Sequence, residues 1–260
     1  MQLRLNGLTE FQATRRVTLL AAKIRTVKNY LIIGGSSGIG QAIVAQLAAE
    51  GHQVFATYNQ HAGIINNFPN VHYHHCNVLD DATLNFDYLP DTLDGLAYCP
   101  GSIQLKPFGR IKPEDFVADY QLQVVGAIKV IQAVTSKLKN AGNGSIVLFS
   151  TVAAQTGLVF HTQVAASKSA LEGFSKALAA EFAPHIRCNC IAPSLTNTPL
   201  AASLINTEAK LAVNAQRHPL KRIGEAADIA QAACFLLTDK SSWITGQTLT
   251  IDGGLSTLRV

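Results

Sequence analysis

From residue 29 onward, short apolar runs alternate with stretches of helical periodicity, and this alternation constrains the fold more than any other feature. "NYLIIGG" (29–35) is an apolar run ending in glycines. "QAIVAQLAAEG" (41–51) puts Ile43, Val44, Leu47 and Ala48 on one helical face and stops at Gly51. "QVFATY" (53–58), "VHYHHCNV" (71–78) and "LDGLAYCPG" (93–101) read as further strands. The spacing of Val124, Ile128 and Ile131 predicts a long helix from about Pro113 to Lys139. "NAGNG" (140–144) turns the chain into the strand "SIVLFS" (145–150). A second long helix around 162–183 carries Leu171, Phe174, Leu178 and Phe182 and ends before Pro184. "IRCNCIAP" (186–193) and "QTLTIDGG" (247–254) complete the strands. Strands joined through helices of this length pair in parallel by right-handed crossovers. The expected class is therefore α/β, a doubly wound parallel sheet in a single domain over 29–260. In such sheets a ligand sits beyond the carboxyl ends of the strands, so the residues just after each strand carry the chemistry.

Composition narrows the partners. A chain that is 48% hydrophobic and 15% charged can fill a large core, yet runs such as "YLII" and "FLL" fall far short of a membrane span. No membrane association is expected. The net charge of +4 is concentrated in residues 1–28, where Arg4, Arg15, Arg16, Lys23, Arg25 and Lys28 face only Glu10. The rest of the chain is slightly acidic, which argues against nucleic acid as a partner. Five cysteines without a CxxC fit a reducing compartment better than a disulfide framework, so a cytoplasmic protein is expected. The basic extension is acid-poor and bears four threonines, which suits an organelle transit peptide, but it has no serine. Import through residues 1–28 stays open beside a surface helix or an upstream start that adds little. Cys188 and Cys190 would share one face of a strand, and the histidines of "HYHH" (72–75) have no carboxylate or thiol partner nearby. No metal site is expected.

"IIGGSSGIGQAI" (32–43) places Gly34, Gly38 and Gly40 between a strand and a helix. A tight turn, close approach of backbone to a pyrophosphate and free N–H groups at a helix start all favour this pattern. Ser36 and Ser37 add hydroxyls, and Ile39 lies within the turn. The spacing GxxxGxG resembles the first turn of the short-chain dehydrogenase/reductase family, with Ile33 at that family's threonine position. The resemblance runs from about residue 29 to 254. "NCIAPSLTNTP" (189–199) is similar to its "NxxxPGxxxTP", and "HPLKRIGEAADIAQAACFLLTDKSSWITGQTLTIDGG" (218–254) to its carboxyl-terminal stretch. It implies a Rossmann-type sheet and a dinucleotide held by the glycine turn and by strand-end residues. Those are Thr57, Tyr58 and Asn59 after the second strand, Asn77 and Val78 after the third, and Pro100 and Gly101 in "YCPG". Pro193, Ser194 and Thr198 follow the sixth. No acid stands in "ATYNQH" (56–61) to bind a ribose 2′-hydroxyl, and no arginine or lysine to meet a 2′-phosphate. The missing carboxylate removes a repulsion, so NADP(H) is slightly preferred over NAD(H).

The resemblance also assigns roles in a reaction. In the family a tyrosine protonates the developing alkoxide, and a lysine four residues later lowers its pKa and holds the nicotinamide ribose. A serine polarises the carbonyl, and an asparagine in the long helix orders water. Here Lys168 is retained, Thr151 stands for the serine and Gln123 for the asparagine, but Val164 stands for the tyrosine. Valine has no proton to give, whereas a positioned acid is usually worth about 10²–10⁴ in rate. His161, three residues before Val164 and with a reference pKa of about 6.5, is the nearest substitute. Tyr98 is a more distant one, expected to pack beside the cofactor. The implied activity is an NAD(P)-dependent oxidoreductase acting on a carbonyl or secondary alcohol with a non-standard proton donor. The alternative is a cofactor-binding scaffold or partner subunit without turnover. The segment 195–217, with Leu195, Leu200, Leu204, Ile205 and Leu211, is expected to form an apolar substrate lid. The resemblance further implies a homo-oligomer, dimer or tetramer, formed through the two long helices.

Overall fold

The computed structural model describes residues 27–60 and 68–259. The readings of the basic extension fall on residues 1–26, outside the described residues. The strands are β1 (Asn29–Ile33), β2 (Gln53–Tyr58), β3 (Val71–His75), β4 (Gly95–Tyr98), β5 (Gly144–Phe149), β6 (Ile186–Pro193), β7 (Thr196–Asn197), β8 (Gly224–Glu225) and β9 (Thr248–Ile251). The helices are α1 (Gly38–Ala49), α2 (Pro113–Tyr120), α3 (Gly126–Asn140), α4 (Thr162–Phe182), α5 (Ala202–Ile205), α6 (Glu208–Arg217) and α7 (Ala226–Leu237). Seven strands form one parallel sheet in the order β3-β2-β1-β4-β5-β6-β9. The order reverses between β1 and β4, so a crevice opens at their carboxyl ends. β7 and β8 pair separately, beside the lid helices.

The two-residue period of each strand divides the core into two layers. Leu31 and Ile33 of β1 face the α3 and α4 side with Leu96, Ile146 and Leu148. Tyr30 and Ile32 face the α1 and α7 side with Val54, Ala97, Val147 and Ile191. Cys188 and Cys190 share the first layer, as their spacing implies, and all five thiols are free. Gly95 pairs with Tyr30, and a Cβ there would lie 2.8 Å from the Tyr30 ring, so no larger residue fits. The histidines of β3 stack on neighbours: His74 lies over Tyr88 at 3.5 Å between ring centroids.

The predicted helix from Pro113 to Lys139 is present but not uniform. Gln121–Val125, between α2 and α3, winds as a π segment. This wider turn shifts the side chains on either side of it, and such turns often mark functional sites. Among the described residues no helix is long and apolar enough to cross a membrane. Leu96 is fully buried at the centre of the sheet. Leu96→Ala is expected to cost about 2–5 kcal/mol, read as a lower midpoint in equilibrium denaturation.

Candidate active site

The chain leaves β1 through Gly34 at φ +73° and enters α1 through Gly38 at φ +53°, both left-handed. At Gly40 the constraint is contact, because a Cβ would stand 2.2 Å from the Gly34 carbonyl oxygen. The Pro100 ring closes over Gly34. The N-cap of α1 is Ser37, whose side chain makes no bond to the helix, and Ser36 is half-buried beside it. The helix N-terminus therefore keeps its N–H groups for an anion. Thr57 departs from expectation. It is 1% exposed and its Oγ1 accepts the Gly34 N–H at 3.0 Å. Its hydroxyl shapes the turn and is not presented to a ribose. Tyr58 is half-buried, edge-on to His75, and Asn59 is exposed just beyond it. Asn77 accepts the Leu79 N–H at 3.1 Å. The Val78 side chain is buried against Gly126 at the start of α3, which leaves only its backbone for a ligand.

A pocket of about 320 Å³ lies at the strand ends. Thr151, His161, Val164 and Lys168 form one wall, and Pro193, Ser194 and Thr198 another. Ile39, Gly101 and Ser102 also line it, and Leu195, Leu200 and Leu204 of the lid contribute apolar cover. Ile205 is half-buried outside this lining, and Leu211 is exposed on α6. Among the described residues no tyrosine lines the pocket. Tyr98 is buried in the core, where its hydroxyl donates to the Leu122 carbonyl at 2.6 Å and burial pushes its pKa far up. It neither packs in the pocket nor can give a proton there.

The remaining groups are ordered. Thr151 Oγ1 accepts the Ala153 N–H at 3.3 Å, which leaves its own proton free to donate. His161 is the N-cap residue of α4, delivered to the pocket wall by Phe160 at φ +69°. Its Nδ1 lies 2.8 Å from the Val159 carbonyl, so that nitrogen carries a proton. Nε2 has no partner among the described residues. Lys168 is buried, and Nζ donates to the Phe149 carbonyl at 2.8 Å. Burial lowers its pKa to about 8, against the raising influence of Cys190, Asp119 and Cys99. Gln123, inside the π segment, is fully buried; its Nε2 donates to both Asp119 carboxylate oxygens at 2.8 Å. Its Oε1 has no partner among the described residues.

Asp119, Ser102 and His218 were missed by the sequence reading. Asp119 is 5% exposed and accepts from Gln123 and from the Ser102 hydroxyl. The i,i+4 spacing of Asp119 and Gln123 was a usable signal, but the wider turn that sets their direction was not. His218 is buried beside the pocket, its Nδ1 donating to the Asn214 carbonyl at 2.8 Å and its Nε2 2.9 Å from Ser194 Oγ. The Ser194 hydroxyl is thus already engaged.

Fold and site together define a class, a doubly wound α/β protein with a glycine turn and a buried lysine at its strand ends. A family model described as enoyl-(acyl carrier protein) reductase matches residues 34–256. L-xylulose reductase of Bos taurus is 31% identical over 230 residues, covering 86% of this chain and 94% of its own. A 3-oxoacyl-[acyl-carrier-protein] reductase of Chlamydia trachomatis is 30% identical, covering 88% and 97%. Among solved structures, a gluconate 5-dehydrogenase from Burkholderia cenocepacia, in complex with NADP and tartrate, superposes with a TM-score of 0.80 at 25% identity. That match covers 89% of this chain and 96% of the other. The chain belongs to the short-chain dehydrogenase/reductase family, a family of oxidoreductases. Gln123→Leu removes both donors that Gln123 gives to a buried carboxylate and is expected to destabilise the protein by about 1–3 kcal/mol, measured by denaturant titration.

Proposed function

We propose that the protein is an NADP(H)-dependent oxidoreductase interconverting a carbonyl compound and a secondary alcohol, with a proton donor other than tyrosine. One observation carries this reading. The Lys168 ammonium and the unpartnered Gln123 Oε1 converge on Gly101, 3.5 and 3.4 Å from where its Cβ would stand. Lys168 lines the pocket and keeps hydrogens beyond its bond to Phe149 for a ribose hydroxyl, with the open Gln123 acceptor buried behind it, off the pocket lining. The bare N-terminus of α1 and the turn at Gly34, Gly38 and Gly40 fit a pyrophosphate. When bound, a nicotinamide would supply the hydride. Thr151 donates to the carbonyl oxygen and polarises it, and Lys168 holds the ribose. His161, carrying a proton on both ring nitrogens, would give up the one on Nε2 while Nδ1 keeps its bond to the Val159 carbonyl. Tyr58, Asn59 and Asn77 lie where the adenosine half would pass. Pro193, Ser194 and Thr198 face the nicotinamide half. The preference for NADP(H) rests on the absence of a carboxylate after β2 and on the NADP held by the Burkholderia relative.

The lid, through Leu195, Leu200 and Leu204, suits a nonpolar substituent beside the carbonyl. Val117 and Tyr120 of α2 are exposed, and a homo-oligomer, dimer or tetramer, formed through the long helices would cover them. Five free thiols fit a reducing, cytoplasmic setting.

The test is NADPH fluorescence titration together with NADPH oxidation over a panel of small apolar ketones and aldehydes. Lys168→Ala is expected to weaken NADPH binding at least tenfold. His161→Ala is expected to lower turnover by about 10²–10⁴ with NADPH affinity unchanged. Unchanged turnover removes His161 as the donor. Binding without turnover across the panel leaves only a cofactor-binding scaffold or partner subunit, and no binding of either dinucleotide overturns the reading.

A further inference from the structure

Lys168 lacks the phenol that would ordinarily share its charge, and its surroundings are otherwise almost devoid of anions. The groups facing it come from four places: Asp119 on α2, Cys99 after β4, Cys190 on β6, and its own helix. Burial pushes the Cys99 thiol up to about 12 and raises Cys190 as well, so both stay neutral at physiological pH. On α4, one turn beyond Lys168, Glu172 accepts from Ser150 Oγ at 2.6 Å and from Gln155 Nε2 at 3.0 Å. It is not among the charges that act on Lys168. His161, at the start of α4, is not an anion in either protonation state. Asp119 is thus the carboxylate whose charge raises Lys168, while Glu172 is held by Ser150 and Gln155.

The dependence runs both ways. Asp119 is buried, and its bonds come only from neutral donors, the Ser102 hydroxyl and the Gln123 amide. Neither Asp119 nor Lys168 makes an ion pair within 4.0 Å among the described residues. A lone buried charge of either sign is costly, and an opposite charge a few ångströms further away relieves both. Gln123 spans the gap. Its amide nitrogen is fixed on the carboxylate, and its oxygen lies on the Gly101 side, where Nζ also lies. The longer arm of glutamine, one methylene beyond asparagine, thereby acquires a purpose.

We infer that Asp119 is the counter-ion of Lys168, a positioning residue whose carboxylate, aimed by Ser102 and Gln123, takes over the negative charge a tyrosinate would have carried. Only the consequence for ribose binding rests on the function proposed above; the charge pairing does not.

The experiment measures the protonation of Lys168 directly in the full-length protein. The amine is labelled competitively with acetic anhydride across about pH 6–11, and the Lys168 peptide is quantified by mass spectrometry. Wild type is expected to titrate with a midpoint near 8. Asp119→Asn keeps the shape and loses the charge, so the midpoint should fall by about one unit or more. Ser102→Ala removes a hydrogen bond but no charge, and should leave the midpoint within a few tenths of wild type. Melting curves confirm folding, and Asp119→Ser is the smaller neutral replacement if Asp119→Asn does not fold. An unchanged midpoint in the folded, neutral variant overturns the inference. NADPH titration over the same pH range should show the affinity profile moving with that midpoint. Failure of wild type to bind NADPH would sink the proposed function while leaving the labelling result standing.

Discussion

Taking a primary ammonium group out of water is costly unless its charge and its hydrogens are met, and Lys168 sits under that constraint. It is fixed on the Phe149 carbonyl at the end of β5, inside a wall built by α4. The elements around it make sense as responses. Thiols, neutral because they are buried, surround it on two sides, an amide approaches from the π segment, and a carboxylate stands behind that amide. The lowered pKa of Lys168 records that compensation is partial.

Parallel strand pairing brings these parts together. β1, β4, β5 and β6 end at one edge, and each delivers a short segment there: the glycine turn, "CPGS", "STV" and "PSLT". The two core layers beneath are dense with aliphatic side chains, so the strand ends are rigidly placed. Local irregularities then aim the chemistry. The left-handed Phe160 turns His161 to the wall, and the wider helical turn rotates Gln123 onto Asp119.

Much of this was legible in the sequence for a physical reason. Parallel strands buried on both faces read as continuous apolar runs, and the helices between them show a clear period, so each main strand was found within a few residues. The glycine turn was legible because it leaves a strand and opens a helix, whereas Thr151, Val164 and Lys168 were assigned only through the family resemblance. What was not legible depends on direction. Thr57 and Tyr98 looked like ligand contacts at strand ends, but Thr57 turns inward to Gly34, and Tyr98 points to the Leu122 carbonyl. Asp119 went unread because a π turn leaves no mark in hydrophobic periodicity. The short lid helices α5 and α6 bury little surface and have weak patterns, so their boundaries went unread.

The wider turn at Gln121–Val125 has one more consequence. It ties Asp119, Gln123 and Lys168 into a set in which no member can be exchanged alone without stranding an interior charge or an open amide. With Asp119 as the inferred counter-ion, the buried amide of Gln123 becomes the piece that holds the two charges apart on this scaffold.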